Sequence, residues 1–238
     1  MYAEHPLSPG QCLDTSRAAV INCNQPHEAE VISIGKLTAT TMPNESAATT
    51  MTVPICRERL AEYLGGPDAD ATNLVAMPFW PNDKQWANGE RWLLCTVTEV
   101  GADENPAPRT GSLEGALQSS DKFRFQTCSV SSPSREPRIR RGPCDAAHLG
   151  EAIPGVISIG ERGSTMPSTE AINKLAQQRC PGVLTSYLGG QTQDVLPAWR
   201  IPNPESWARG YTNIVCYAEA VRPVRVRLRN LGNAPLPS

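Results

Sequence analysis

Aromatic side chains are scarce in this sequence: three Phe, five Tyr and five Trp make up 5% of its 238 residues. The basic runs REPRIRR (135–141) and RPVRVRLR (222–229) contain no aromatic residue at all. Nucleic-acid surfaces that stack bases interleave the two residue types, so no nucleic-acid partner is expected. Long apolar runs are missing too, and a membrane-spanning helix needs about 18 such residues or more. The first ten residues, MYAEHPLSPG, lack the basic patch, apolar stretch and small-residue cleavage site of a secretory leader. No CxxC occurs and the shortest step between cysteines is 11 residues. That spacing argues against structural zinc, which favours close ligand pairs, and against a thioredoxin-like dithiol. HEAE (27–30) is not HExxH, so the zinc-protease pattern fails on its own residues.

What is present is cysteine, proline and glycine: 8, 22 and 18 residues respectively. Apolar residues make up 39% and charged ones 19%, the balance of a soluble, loop-rich protein large enough to bury one core or two. An even cysteine count at regular spacings suggests oxidised bridges, hence an extracytoplasmic location. A leader or membrane anchor is then expected to have been removed or to lie outside this sequence.

The chain also retraces itself. Cys12, Cys23, Cys56 and Cys95 answer to Cys128, Cys144, Cys180 and Cys216, and a histidine, His27 or His148, stands four residues after the second cysteine of each set. Ile32-Ser33-Ile34-Gly35 matches Ile157-Ser158-Ile159-Gly160, and Met42-Pro43 matches Met166-Pro167. Tyr-Leu-Gly-Gly begins seven residues after each third cysteine, and Trp-Ala-x-Gly nine before each fourth. This order predicts two units, 7–100 and 123–230, joined by a linker (101–122) rich in Pro, Gly, Ser and acids. The tail 231–238 reads as disordered, and the arginine-rich run before it as an edge strand with its arginines in solvent.

Within each unit the pattern predicts an α+β fold: a mainly antiparallel sheet carrying one principal helix. Strands are expected at 19–22, 29–37 and 91–100, the last with a counterpart at 212–221, and an apolar segment at 74–80 has its counterpart at 195–199. The helix is expected at 53–64 after a Thr-rich loop (42–50), with Ser168 as the N-cap of its counterpart and Gly65-Gly66 or Gly189-Gly190 as stops. Pro181 should kink or restart the second helix. Four cysteines per unit permit three pairings. The favoured one joins first to second and third to fourth: Cys12–Cys23, Cys56–Cys95, Cys128–Cys144 and Cys180–Cys216.

Four groups of residues could carry function. His27 could act as a general base oriented by Glu28 or Glu30. Beside His148, however, stand Leu149 and Gly150, with Glu151 beyond them, and on this comparison the acids do not hold register. No nucleophile recurs near either histidine, so a buried hydrogen bond beside a disulfide is the expected role. Trp86 and Trp207 precede tight turns and read as core anchors; Trp80 and Trp199 could instead form part of an exposed carbohydrate or peptide platform. Charge divides unevenly: residues 1–120 hold 7 Lys/Arg against 15 Asp/Glu, and 121–238 hold 15 against 9. Mutual attraction of the halves accounts for this more simply than an anionic partner.

Gly10-Gln-Cys12, the apolar step to Cys23, Pro26-His27-Glu28-Ala29-Glu30-Val31 and the Trp86 to Cys95 segment resemble the septum formation domain family of actinobacterial cell-envelope proteins. The second unit departs from the pattern, with Ala147 in place of the proline, and looks like a diverged copy. The resemblance implies a non-enzymatic envelope protein outside the cytoplasm, linked to septum formation. It brings no cofactor, metal or catalytic residue, and its partners would be envelope or division proteins or cell-wall polymer. The competing expectation is an enzyme or small-ligand binder using a cleft between the units with His27 or His148.

Overall fold

The structure is a computed structural model that describes residues 7–118 and 120–236. In the first half the chain forms β1 (Cys12–Asp14), β2 (Ala19–Ile21), β3 (Ala29–Lys36), α1 (Glu45–Leu64), β4 (Leu74–Phe79), α2 (Asp83–Ala87) and β5 (Trp92–Glu99). The second half forms β6 (Cys128–Ser129), β7 (Arg141–Gly142), β8 (His148–Ala152), β9 (Ile157–Ser158), α3 (Thr169–Leu188), β10 (Val195–Arg200), α4 (Pro204–Ala208) and β11 (Asn213–Val224). The strands pair into two antiparallel sheets, in the orders β2-β1-β3-β5-β4 and β7-β6-β8-β11-β10, with β9 also on β11.

The two long helices follow from a four-residue stripe. Ala48, Thr52, Cys56, Leu60 and Leu64 are buried on α1, and Ile172, Ala176, Cys180, Leu184 and Leu188 on α3. A step of four keeps successive side chains on one face, and here that face meets the sheet. Asn44 and Ser168 cap the N-termini through side-chain oxygens that accept from the third residue on. Helix α1 therefore begins eight residues before the expected Val53: the Thr-rich stretch is helical once Asn44 holds its first turn. Neither Pro54 nor Pro181 ends its helix, each being assigned inside 20 continuous residues. Tertiary packing of the stripe outweighs the lost backbone bond.

Cysteine bonds pin the helices and strand ends in place. Cys12–Cys23 and Cys128–Cys144 tie the first strand of each sheet to the turn after its second strand, while Cys56–Cys95 and Cys180–Cys216 tie each long helix to β5 or β11. All eight cysteines are in disulfides.

Several expectations need correction. The proposed linker is packed against the first sheet, with Leu113 and Leu117 in the first core. It matches the end of the second half: Arg109 bridges His27 as Val224 pairs with His148, and Gly115 and Asn230 share the left-handed backbone at φ 67° and 61°. Eighteen residues separate Cys95 from Leu113 but twelve separate Cys216 from Leu228. The surplus forms the turn around Gly101–Asn105, whose polar composition mimics a linker.

At the other end, β11 lies between β10 and β8 as far as Ala220, but from Arg222 to Val224 it pairs only with β8 and Arg222 is exposed, so just the first three residues of the arginine-rich run are strand. Beyond Val224 the chain leaves the sheet and buries Leu228 and Leu236 in the second core. The tail is thus packed through Leu236; Pro237 and Ser238 lie outside the described residues.

The ISIG match also misleads. Gly35 faces Leu93, two residues before Cys95, whereas Ile157 faces Ile214, two before Cys216. The identical tetrapeptides are therefore three positions out of structural register. In the second half, Ile153 to Val156 leave the ladder and split into β8 and β9 what is one strand, β3, in the first.

Candidate functional site

Each histidine sits where the third strand of its sheet begins, next to the first disulfide. His27 is fully buried and His148 is 1% exposed, so neither is offered to solvent as a general base. The acids do hold register after all: Glu30 and Glu151 each stand third after their histidine, and both carboxylates are buried. The tyrosine seven residues after each third cysteine completes the arrangement. Tyr63 donates to Glu30 and Tyr187 to Glu151, both at 2.5 Å. The returning segment supplies a backbone donor in each half, from Leu113 to Glu30 at 2.7 Å and from Leu228 to Glu151 at 2.9 Å.

The two networks then differ. In the second, His148 Nδ1 lies 2.8 Å from the Ala146 carbonyl and Nε2 2.9 Å from Glu151. Both ring nitrogens face acceptors, which suits the doubly protonated imidazolium. Burial lowers the pKa of this ring, but the bonds to Glu151 and Ala146 outweigh burial and raise it. In the first network Ser112 takes the place on Glu30, at 2.5 Å. Among the described residues His27 keeps only the Gln25 carbonyl on Nδ1, at 2.9 Å, and its buried Nε2 has no partner. Burial, together with the neighbouring carboxylate, pushes both tyrosine phenols far up, so each keeps the proton it donates to its glutamate, and the Tyr187 oxygen also accepts from Gln126 at 2.7 Å.

Glu28 stands apart, half-buried and accepting from the Thr15 backbone and hydroxyl. Cys12, Cys23 and Glu30 come close enough to share an ion, as do Cys128, His148 and Glu151. Their sulfurs are locked in disulfides and carry no thiolate, so neither donor set suits zinc.

The tryptophans belong mainly to packing. Trp86 and Trp207 are buried on the short helices α2 and α4, and the Trp207 indole donates to the Ser164 carbonyl at 2.9 Å. Asn82 and Asn203 build capping boxes there, a signal that Asn-x-x-Gln and Asn-x-x-Ser give in the sequence. Trp199 is half-buried and donates to Asn173 on α3; Trp80 is half-buried against the first core. They are not equivalent positions, since Pro78 faces Cys95 where Trp199 faces Cys216. Trp80 packs on the first core and Trp199 on the second.

The two halves meet through polar groups that the sequence did not single out. Arg57 on α1 stacks 3.5 Å from the Tyr211 ring, donates to the Gly210 carbonyl and pairs with Asp70 at 2.6 Å. Asn213 donates to the other Asp70 oxygen, and Asp68 accepts from the backbone of Gly155 and Val156 and pairs with Lys122. Glu58–Arg162 and Glu104–Arg141 add acid-to-base contacts in the same sense. Three acids of the first half, Glu58, Asp68 and Glu104, thus pair with bases of the second, the sense that the charge imbalance of the sequence favours.

Beside this seam lies a cavity of about 220 Å³, lined from the first half by Arg57, Asp70 and Leu74 and from the second by Arg141, Arg200 and Tyr217, among others. Neither histidine lines it. Tyr217 had no sequence signal beyond following the fourth cysteine.

Among the described residues no helix is long and apolar enough to cross a membrane. No curated protein and no solved structure matches the chain. A family described as septum formation matches residues 9–216, a span that takes in the first sheet, the segment after it and the second sheet as far as Cys216 in β11. With that match covering most of its length, the chain belongs to the septum formation family.

Proposed function

We propose that the protein is a non-enzymatic, extracytoplasmic envelope domain that contributes to septum formation through contacts with division proteins or cell-wall polymer, as in actinobacterial envelopes. The observation that carries this reading is the oxidation of every cysteine, two disulfides stapling each sheet. Such a set persists in an oxidising compartment and would be reduced in most cytosols. Family membership supplies the link to division. On this reading the halves are tandem homologous units, supported by their common strand order, helix stripe and His-x-x-Glu network. An enzyme working through His27 or His148 gains no support, because both side chains are buried and outside the cavity between the halves.

Intact mass after alkylation of unreduced protein from the native host tests the location. No alkyl group should be added; addition of eight would overturn it. Depletion in the host should misplace or delay septa under the microscope, and normal septation would remove the division role.

A further inference from the structure

We propose that the cavity between the two halves is a binding site for a small organic carboxylate with a compact apolar body, held by the Tyr217 hydroxyl in the positive field of Arg141 and Arg200. Tyr217 lies on β11 and is 4% exposed, yet its hydroxyl has no hydrogen-bond partner among the described residues. A phenol donor that no protein group takes up is open to an acceptor that a ligand brings. This one lines a cavity with room for a ligand.

Charge selects the ligand's sign. Arg57 is neutralised by Asp70 in their pair at 2.6 Å. Arg200 forms no ion pair among the described residues; it donates to the carbonyls of Pro133, Glu136 and Pro137, so its positive charge is uncompensated. Among the described residues Arg141 pairs only with the exposed Glu104, and its Nε is buried without a hydrogen-bond partner there. The lining therefore carries excess positive charge beside a neutral donor. Burial pushes the Tyr217 phenol up to about 12, Arg141 and Arg200 opposing the shift, so the group donates at any physiological pH.

Size and lining select the body. A dry cavity of about 150 Å³ accommodates benzene, so about 220 Å³ suits that scale of ligand with a carboxylate added. Leu74, Ile139, Ile201 and Val215 supply apolar wall, which a fully hydrated inorganic anion would not use. Because both halves line the cavity, a bound ligand would bridge them. This inference is independent of the envelope reading above.

Calorimetric titration of the full chain tests it. Benzoate represents a free acid and N-acetylalanine a chain-terminal carboxylate, and the tighter of the two identifies the source. At least one should bind saturably at millimolar concentration or below, while benzamide and N-acetylalaninamide should not. Y217F removes one charge-assisted hydrogen bond and should weaken the acid by about tenfold. Its thermal midpoint should be no lower than wild type, since no internal bond is lost. The proposal is overturned if neither acid binds, if the amides bind as tightly, if Y217F leaves affinity unchanged, or if inorganic phosphate binds more tightly than either acid.

Discussion

Glu151 gathers three buried donors of the second half. It accepts from the Tyr187 hydroxyl, the Leu228 backbone and His148, so truncating it strands three buried partners at once. Glu151→Ala should cost about 3 kcal/mol or more in urea unfolding, against at most about 1 kcal/mol for Glu28→Ala, whose partners are on half-buried Thr15. Equal costs would mean that the network adds little. His148 adds a pH dependence of known sign. Its folded pKa is raised, so protonation favours the fold fully below the unfolded value of about 6.5, and that contribution is lost as pH climbs through the folded value. Arg227 opposes the shift but does not reverse it. The wild-type thermal midpoint should fall across this window more steeply than that of His148→Gln, and parallel profiles would sink the assignment. The sequence showed the histidines and acids but hid their shared register, because Glu28 drew the comparison to the position next to the ring instead of the third one along. The tyrosine partners were visible as a fixed spacing, but nothing in the spacing said that they would meet the carboxylates.

At the scale of elements, the disulfides decide how firmly each helix is held to its sheet. Cys180–Cys216 closes a separation of 36 residues and Cys56–Cys95 one of 39, and the chain-entropy view assigns each about 3 to 4 kcal/mol. The double replacements Cys180→Ala/Cys216→Ala and Cys56→Ala/Cys95→Ala should each lower stability by about that amount, read as a shift in denaturant midpoint with the slope unchanged. A shift below about 1 kcal/mol for either pair would show that packing of the four-residue stripe alone fixes the helix. Cysteine spacing, the helix stripe and the alternation of AEVISIGK made the strands and long helices legible, since each is a local pattern. Three elements were not legible for the same reason. The first turns of α1 are polar and form because Asn44 caps them; the residues after Gly101 look like a linker but bury Leu113; the C-terminal run looks polar but anchors itself through Leu228 and Leu236. In each case one or two buried residues, too few to make a period, decide the outcome.

Across the whole molecule, two sheets with separate cores are joined by a seam in which burial decides which ion pairs matter. Glu58–Arg162 leaves each side chain about half exposed, at 50% and 52%, and pairs of that kind are worth about 1 kcal/mol or less. Arg57 and Asp70 are different, at 11% and 7% exposed, with Tyr211 stacked above the guanidinium and Asn213 on the far carboxylate oxygen. Removing one member leaves the other charge desolvated, so Arg57→Ala and Asp70→Ala should each cost about 3 to 5 kcal/mol. The double variant should cost well under the sum, because the stranded charge is the larger part of each single loss. The sequence contained the net attraction between halves but not this pair, since Arg57 and Asp70 are ordinary members of a helix and a turn until Tyr211 and Asn213 arrive from the other half. If the pair couples the two cores, the wild type should unfold in one calorimetric transition and Arg57→Ala should broaden it or divide it in two. Strict additivity in the cycle, together with a single sharp transition in every variant, would place the coupling instead in the small apolar cluster of Ala71, Ala152, Ala198, Val215 and Tyr217 that spans the same seam.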